Sequence, residues 1–181
     1  MRAIIISDIH GSPVNLKKVL NRFEEEHFDY LIILGDILYH GPRNPLPEGY
    51  NPQEVVSLLN PHKERIIACR GNCEAEVDQM LLAFPCMSDY SLLIDGNITF
   101  FATHGHLYTY ETFPKVAKKN VFLSGHTHLW VLEEKENVLV CNPGSITLPK
   151  ENRPATYAVY ENNTIAIVDF EGNVLKRQQI C

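Results

Sequence analysis

Two Asp, four His and one Asn fall at five places along this chain, each at the end of an apolar run. Asp8 and His10 stand in Ser7-Asp8-Ile9-His10-Gly11, Asp36 in Leu34-Gly35-Asp36, and Asn72 in Arg70-Gly71-Asn72. His104 stands in Thr103-His104-Gly105-His106, and His126 with His128 in Gly125-His126-Thr127-His128. Seven donors exceed what one tetrahedral ion takes. They suit two ions that share a bridging carboxylate. A paired site of that kind is a complete hydrolytic apparatus: it binds an anionic ester, lowers the pKa of a water and supports the leaving oxygen.

Taken singly, each motif has an ordinary explanation. Gly35-Asp36 reads as a turn with a helix cap, and Gly71-Asn72 as a turn. A lone His such as His104 is usually a satisfied or surface side chain. The His126/His128 pair is more telling, because spacing two after a strand is common among chelating histidines. The weight lies in the joint pattern.

The elements that must position these residues follow from hydrophobic period. Ala3 to Ser7, Tyr30 to Leu34 and Arg65 to Cys69 are short apolar runs of the kind found in buried parallel strands. Ser12-Pro13 starts a helix, with Leu16, Val19, Leu20 and Phe23 on one face. Pro52 to Leu59 and Glu74 to Leu82 read as further helices, and the Gly/Pro-rich stretch from Tyr39 to Pro52 as a long functional loop. Asp95-Gly96-Asn97 predicts a hairpin between Tyr90 to Ile94 and Ile98 to Thr103. Thr112 to Lys119 reads as a short helix and Val121 to Ser124 as a buried strand. Val131 to Glu134 and Val138 to Cys141 flank a second hairpin, and strands near Thr156 to Tyr160 and Thr164 to Phe170 lead to a last one through Gly172-Asn173. A βαβαβα first half with a mostly β second half implies an α/β fold, a layered α/β/β/α sandwich of two mixed sheets flanked by helices, as one domain over residues 1–181. Ligands in such sheets collect at the carboxyl ends of strands. Asp8 and His10 are two apart, so extended backbone would point them the same way, and likewise His126 and His128.

Composition narrows the function classes. The chain has 181 residues, is 45% hydrophobic and 21% charged, and carries a formal net charge of −6. That balance disfavours disorder. An acidic surface disfavours a nucleic acid polymer as partner but leaves small anions open, since a local metal charge overrides the global field. No stretch has the length of a membrane span. Five Cys (Cys69, Cys73, Cys86, Cys141, Cys181) without CxxC spacing fit reduced thiols in a cytoplasmic protein.

Five motifs in this order resemble the calcineurin-like metallophosphoesterases, whose pattern is D-x-H, G-D, G-N-H-[DE], H and G-H-x-H. Here they are Asp8-Ile9-His10, Gly35-Asp36, Gly71-Asn72-Cys73-Glu74, His104 and Gly125-His126-Thr127-His128. Within that family the loop Leu38 to Asn44 and the turn Asn142-Pro143-Gly144-Ser145 are similar to small phosphodiesterases of the YfcE/MJ0936 type, which share a Vps29-like fold. The resemblance implies that Asp8, His10 and His128 hold one ion, that Asn72, His104 and His126 hold the other, and that Asp36 bridges them. It places Asp36, Asn72, Cys73 and His104 in the catalytic centre. The implied cofactors are two divalent transition metal ions, Mn²⁺ first and Zn²⁺, Fe²⁺ or Ni²⁺ compatible with the same mixed N/O donors. Two divalent ions, two Asp and a bridging hydroxide leave one positive charge to attract phosphate.

The implied reaction is in-line attack of a metal-activated hydroxide on a small phosphodiester. The family's His after Asn is replaced by Cys73, a weak acid for a leaving group, so activated aryl esters are the expected substrates. His106 is close enough in sequence to assist, and His40 and Arg43 are candidates to touch substrate or to lie in a solvated loop. The competing class is a Vps29-like binding scaffold, which retention of all seven ligands disfavours. A homo-oligomer is a further expectation of the resemblance.

Overall fold

The computed structural model describes residues 1–114 and 119–180. Strand β1 (Ala3–Ile6) is buried along its whole length, because it lies between two sheet neighbours and between two covering layers. Ser12 then caps α1 (Pro13–Glu25): its Oγ accepts from Val14 N, and Pro13 supplies a helix-ready φ at the first position. The order continues with β2 (Tyr30–Ile33), α2 (Pro52–Leu59), a 3₁₀ turn (Asn60–Arg65), β3 (Ile66–Ala68) and α3 (Glu76–Leu81). Asn51 caps α2 as Ser12 caps α1, again with Pro next. The second half is β4 (Tyr90–Asp95), β5 (Ile98–Thr103), β6 (Lys119–Leu123), β7 (Val131–Lys135), β8 (Val138–Asn142), β9 (Thr156–Glu161), β10 (Thr164–Asp169) and β11 (Val174–Gln179).

Two mixed sheets result. One has six strands in the order β11-β10-β9-β1-β2-β3, with β1, β2 and β3 parallel. The other has five in the order β4-β5-β6-β8-β7, with β5, β6 and β8 parallel. Alternation along β1 divides the core. Ala3 and Ile5 meet Phe100, Ala102, Val121 and Leu123 between the sheets. Ile4 and Ile6 meet Leu16, Leu20 and Phe23 of α1, with Val55 and Leu59 of α2 in the same cluster. On the far face of the five-stranded sheet, Phe101, Phe122 and Val140 pack against Phe113, Tyr108 and Tyr110. Among the described residues that face is covered by the 105–114 segment rather than by a helix.

That segment departs from expectation. Thr112 lies in a turn, where its N–H bonds to Thr109 O and its Oγ1 accepts from Thr109 N. Such local hydroxyl bonds compete with a helix, and Pro114 disfavours helical backbone at Phe113. Residues 115–118 of the predicted helix lie outside the described residues, and Lys119 already belongs to β6.

Candidate metal centre

Asp8, Asp36 and Asn72 follow β1, β2 and β3, while His104 and His126 follow β5 and β6. The parallel strands of both sheets therefore deliver their carboxyl ends to one edge. The chain segments approach closely there, across the sheets at Gly125 and within the six-stranded sheet at Gly71. A Cβ on Gly125 would come within 1.9 Å of Ser7 Oγ, and one on Gly71 within 2.1 Å of Asp36 Oδ1. Glycine at both positions is a requirement of space.

The extended-backbone expectation for the Asp8/His10 and His126/His128 pairs does not hold. All four residues, with Asp36, have positive φ: 57° for Asp8, 48° for His10, 55° for Asp36, 66° for His126 and 61° for His128. Each sits in a left-handed turn, which costs free energy for a residue with a Cβ and persists only when neighbours enforce it. The neighbours are visible. Glu74 accepts from Asp36 N at 2.9 Å, from Ile37 N at 2.6 Å and from Gly71 N. Ser145 Oγ donates to Asp8 O at 2.9 Å and Thr147 Oγ1 to Ile9 O at 2.9 Å. Cys73 N donates to Asp36 Oδ1 at 2.9 Å, and His126 N to Asp8 Oδ2 at 3.1 Å.

What remains is a set of acceptors facing one another. His10 Nδ1 meets Tyr39 O at 2.9 Å, His128 Nδ1 meets Leu148 O at 2.6 Å, and His104 Nδ1 meets Leu34 O at 2.6 Å. A carbonyl only accepts, so these contacts fix Nδ1–H on all three rings and turn each Nε2 lone pair inward. The Nε2 atoms of His10 and His128 are 3.2 Å apart, and Asp8 Oδ1 lies 3.2 Å from His128 Nε2 and 3.6 Å from His10 Nε2. That oxygen is buried and has no well-formed hydrogen bond. On the other side, His104 Nε2 is 3.2 Å from both Asn72 Oδ1 and His126 Nδ1. Asp36 faces both groups, with Oδ2 3.8 Å from His10 Nε2 and Oδ1 3.5 Å from His104 Nε2. Lone pairs this close, with an orphaned buried carboxylate oxygen among them, fit cations and little else.

Electrostatics agree. Burial works to raise the Asp8 pKa, but contacts with His10 and His128 and the charge of His104 hold it well below the usual carboxylate range. Burial works to lower His10, and Asp8 with the Tyr39 carbonyl raises it instead. Burial and the neighbouring His104 lower both His106 and His126. Burial and the Asp36 charge push Cys73 and Glu74 up.

The structure brings all eight sequence candidates, Asp8, His10, Asp36, Asn72, Cys73, His104, His126 and His128, to one edge. Cys73 Sγ shares a 4.8 Å neighbourhood with His10 and Asp36. His106 stacks edge-on to His104, with ring centroids 5.3 Å apart. His40 is elsewhere: its ring packs between Tyr39 and Tyr50, so packing explains it. Residues without a sequence role also appear. Thr127 and Lys150 line a cleft of about 420 Å³ over the centre, with Arg43, Asn44 and Cys73. Glu74 was visible only as the last letter of a motif; its grip on three amides had no signal in the sequence.

Known proteins agree with this architecture. Residues 1–164 match the calcineurin-like phosphoesterase superfamily domain. The chain is 42% identical over 168 residues to phosphodiesterase YfcE of Escherichia coli K12, covering 93% of this chain and 91% of that one. The solved structure of YfcE, described as a phosphoesterase from E. coli, superposes with a TM-score of 0.97 at 40% identity over the whole of both chains. Vacuolar protein sorting 29 of Cryptosporidium parvum shares the fold, with a TM-score of 0.60 at 16% identity, covering 92% and 88%.

Proposed function

The chain belongs to the calcineurin-like phosphoesterase superfamily, and from that premise we propose that its ligand edge holds two divalent ions and cleaves small phosphodiesters. It is a metal-dependent phosphoric diester hydrolase. Asp8, His10 and His128 would hold one ion, Asn72, His104 and His126 the other, and Asp36 both. Mn²⁺ is the first expectation, and the same donors accept Zn²⁺, Fe²⁺ or Ni²⁺. When bound, such ions supply Lewis acidity, lowering the pKa of a coordinated water and neutralising charge on the phosphoryl oxygens.

The chain's own residues do the rest. The carbonyls of Tyr39, Leu148 and Leu34 each accept from an imidazole Nδ1, which leaves the three Nε2 atoms aimed inward. Glu74 fixes the turn that carries Asp36 and so positions the carboxylate that would be shared. Cys73 occupies the position of a leaving-group acid, yet its raised pKa keeps the thiol protonated and weakly acidic at neutral pH. His106, with its pKa lowered, is neutral there and holds no proton to give readily. Esters whose leaving groups need little help are therefore turned over best.

The observation that carries the reading is the buried, unbonded Asp8 Oδ1 surrounded by inward imidazole nitrogens. A scaffold role like that of Vps29 is not favoured: all seven donors are present, and the likeness to a phosphodiesterase is far stronger. We further propose that residues 1–181 act as one domain in the cytoplasm, as a homo-oligomer, without nucleic acid polymers as partners. Among the described residues no helix is long and apolar enough to cross a membrane. A rate panel of metal-loaded protein on aryl diesters, aryl monoesters and natural diesters tests the reaction. Aryl diesters should lead, and a preference for monoesters would overturn it. Light scattering tests the oligomer.

A further inference from the structure

We infer that the substrate of this centre carries a second anionic group on one of its two ester arms, held by Arg43 and Lys150. The inference rests on the phosphodiesterase reading and names its substrate class. Of the seven arginines, Arg2, Arg22, Arg65, Arg70 and Arg153 each bond to a carboxylate of Glu161, Glu26, Glu24, Asp89 and Glu151. Arg43 and Arg177 make no such bond among the described residues, and neither does Lys150; Arg177 lies away from the metal centre, on β11. Both line the cleft over the metal centre. An exposed cation without a partner is ordinary. Two of them facing one cleft from separate segments of an acidic protein are not.

Their placement is built into the ligand set. Tyr39, four residues before Arg43, offers its carbonyl to His10 at 2.9 Å. Leu148, two residues before Lys150, offers its carbonyl to His128 at 2.6 Å. The Arg43 loop is pinned again where Asn44 Nδ2 donates to His40 O at 2.8 Å and Asn51 N to Gly11 O at 2.8 Å. The Lys150 segment is pinned where Leu148 N donates to Ser145 Oγ at 2.8 Å and Asn15 Nδ2 to Ile146 O at 2.7 Å. The two histidines assigned to one ion are thus oriented by the two segments that carry the free cations. On the other side, Arg70 is bonded to Asp89 at 2.6 Å. Among the described residues, Arg43 and Lys150 are therefore the cations over this cleft that no carboxylate holds.

The lining sets the class of group. Asp36 is the sole carboxylate among the described cleft residues, and it faces the metal ligands. Apart from imidazoles no aromatic ring lines the cleft, so it offers no stacking platform for a nucleobase. A diester brings one negative charge, which the metal centre takes. Arg43 and Lys150, with Asn44 and Thr127 as neutral polar neighbours, suit a phosphate or carboxylate beyond it.

The test compares p-nitrophenyl butyl phosphate with its analogue whose butyl arm ends in carboxylate, so that leaving group and arm length are shared. Wild-type, Mn²⁺-loaded protein should favour the carboxylate by about tenfold or more in kcat/KM, the scale of a charge-assisted hydrogen bond. The ratio should fall towards one in Arg43→Gln with Lys150→Gln, and also at high salt. Calorimetry with butylphosphonate and its carboxylate analogue should show the same ratio in binding, without turnover. Arg43 and Lys150 are exposed and form no ion pair among the described residues, so the variants should remain folded, which circular dichroism checks. A wild-type ratio near one, or a ratio kept by the double variant, overturns the inference and leaves the diesterase intact. A kept binding ratio with neither diester cleaved overturns the diesterase reading and leaves the anion site standing.

Discussion

Asp8 and Asp169 both stand where a strand of the six-stranded sheet gives out, and the fold uses them in opposite ways. Asp169 closes β10 and commits its oxygens to the turn: Oδ1 accepts from Glu171 N at 2.9 Å and Asn173 N at 2.8 Å, and Oδ2 from Asn173 Nδ2 at 2.9 Å. Asp8 follows β1 in left-handed backbone and keeps Oδ1 buried and unbonded. The turn between β10 and β11 is finished by its own chain. The carboxyl edge of the parallel strands keeps its donors for a ligand, and on the proposed reading an ion would offset the strain and desolvation there. Buried polar atoms without partners are rare in folded proteins, so where they cluster they mark what the structure is built to bind.

If the two regions differ in this way, they should fail differently. Chelation should reduce diesterase activity to background and Mn²⁺ should restore it, while Asp169→Ala should leave both the loss and the rescue unchanged. Activity indifferent to chelator would erase the contrast. Glu74→Ala comes next, because it frees three amides that hold the turn of Asp36. It should weaken metal binding about 10- to 100-fold by calorimetry, as loss of a supporting partner does. Unaltered affinity would mean that the turn holds itself. Cys73→His should raise kcat on diesters with unactivated leaving groups by about tenfold or more, and aryl esters less. A rate equal on both would remove the thiol argument.

The smallest effect belongs to the finished turn. The Asn173 side-chain bond, opposed by desolvation and aided by backbone amides, holds the Asp169 pKa below its ordinary 3.8. A depressed folded-state pKa contributes stability that is present above 3.8 and is lost as pH falls through the lower folded value. Thermal melts should therefore place Asp169→Ala a few degrees below wild type at pH 7, and the two should converge in acid. A gap that widens in acid would contradict the sign.

Much of the fold was legible because local and tertiary signals agree. Continuous apolar runs gave β1, β2 and β3 to within a residue or so, and α2 spans Pro52–Leu59 as read from the sequence. The 112–119 stretch was not legible: Thr112 to Lys119 reads as a short helix, and hydroxyl turns with Pro114 prevail in the described part. At the site, residue types and order told which side chains gather, yet spacing misled about how. Asp8/His10 and His126/His128 converge through left-handed turns rather than extended strand. Those turns depend on Glu74, Ser145 and Thr147, contacts between segments distant in sequence. Lys150 and Thr127 were silent for the same reason: what makes them part of the cleft is the segment packed opposite.

Metal stoichiometry tests the central claim most directly. Elemental analysis of reconstituted, desalted protein should find two divalent ions per wild-type chain and fewer in Asp36→Asn, which removes the charge that both ions would share. One ion or none in the wild type, or two retained by Asp36→Asn, would contradict the account.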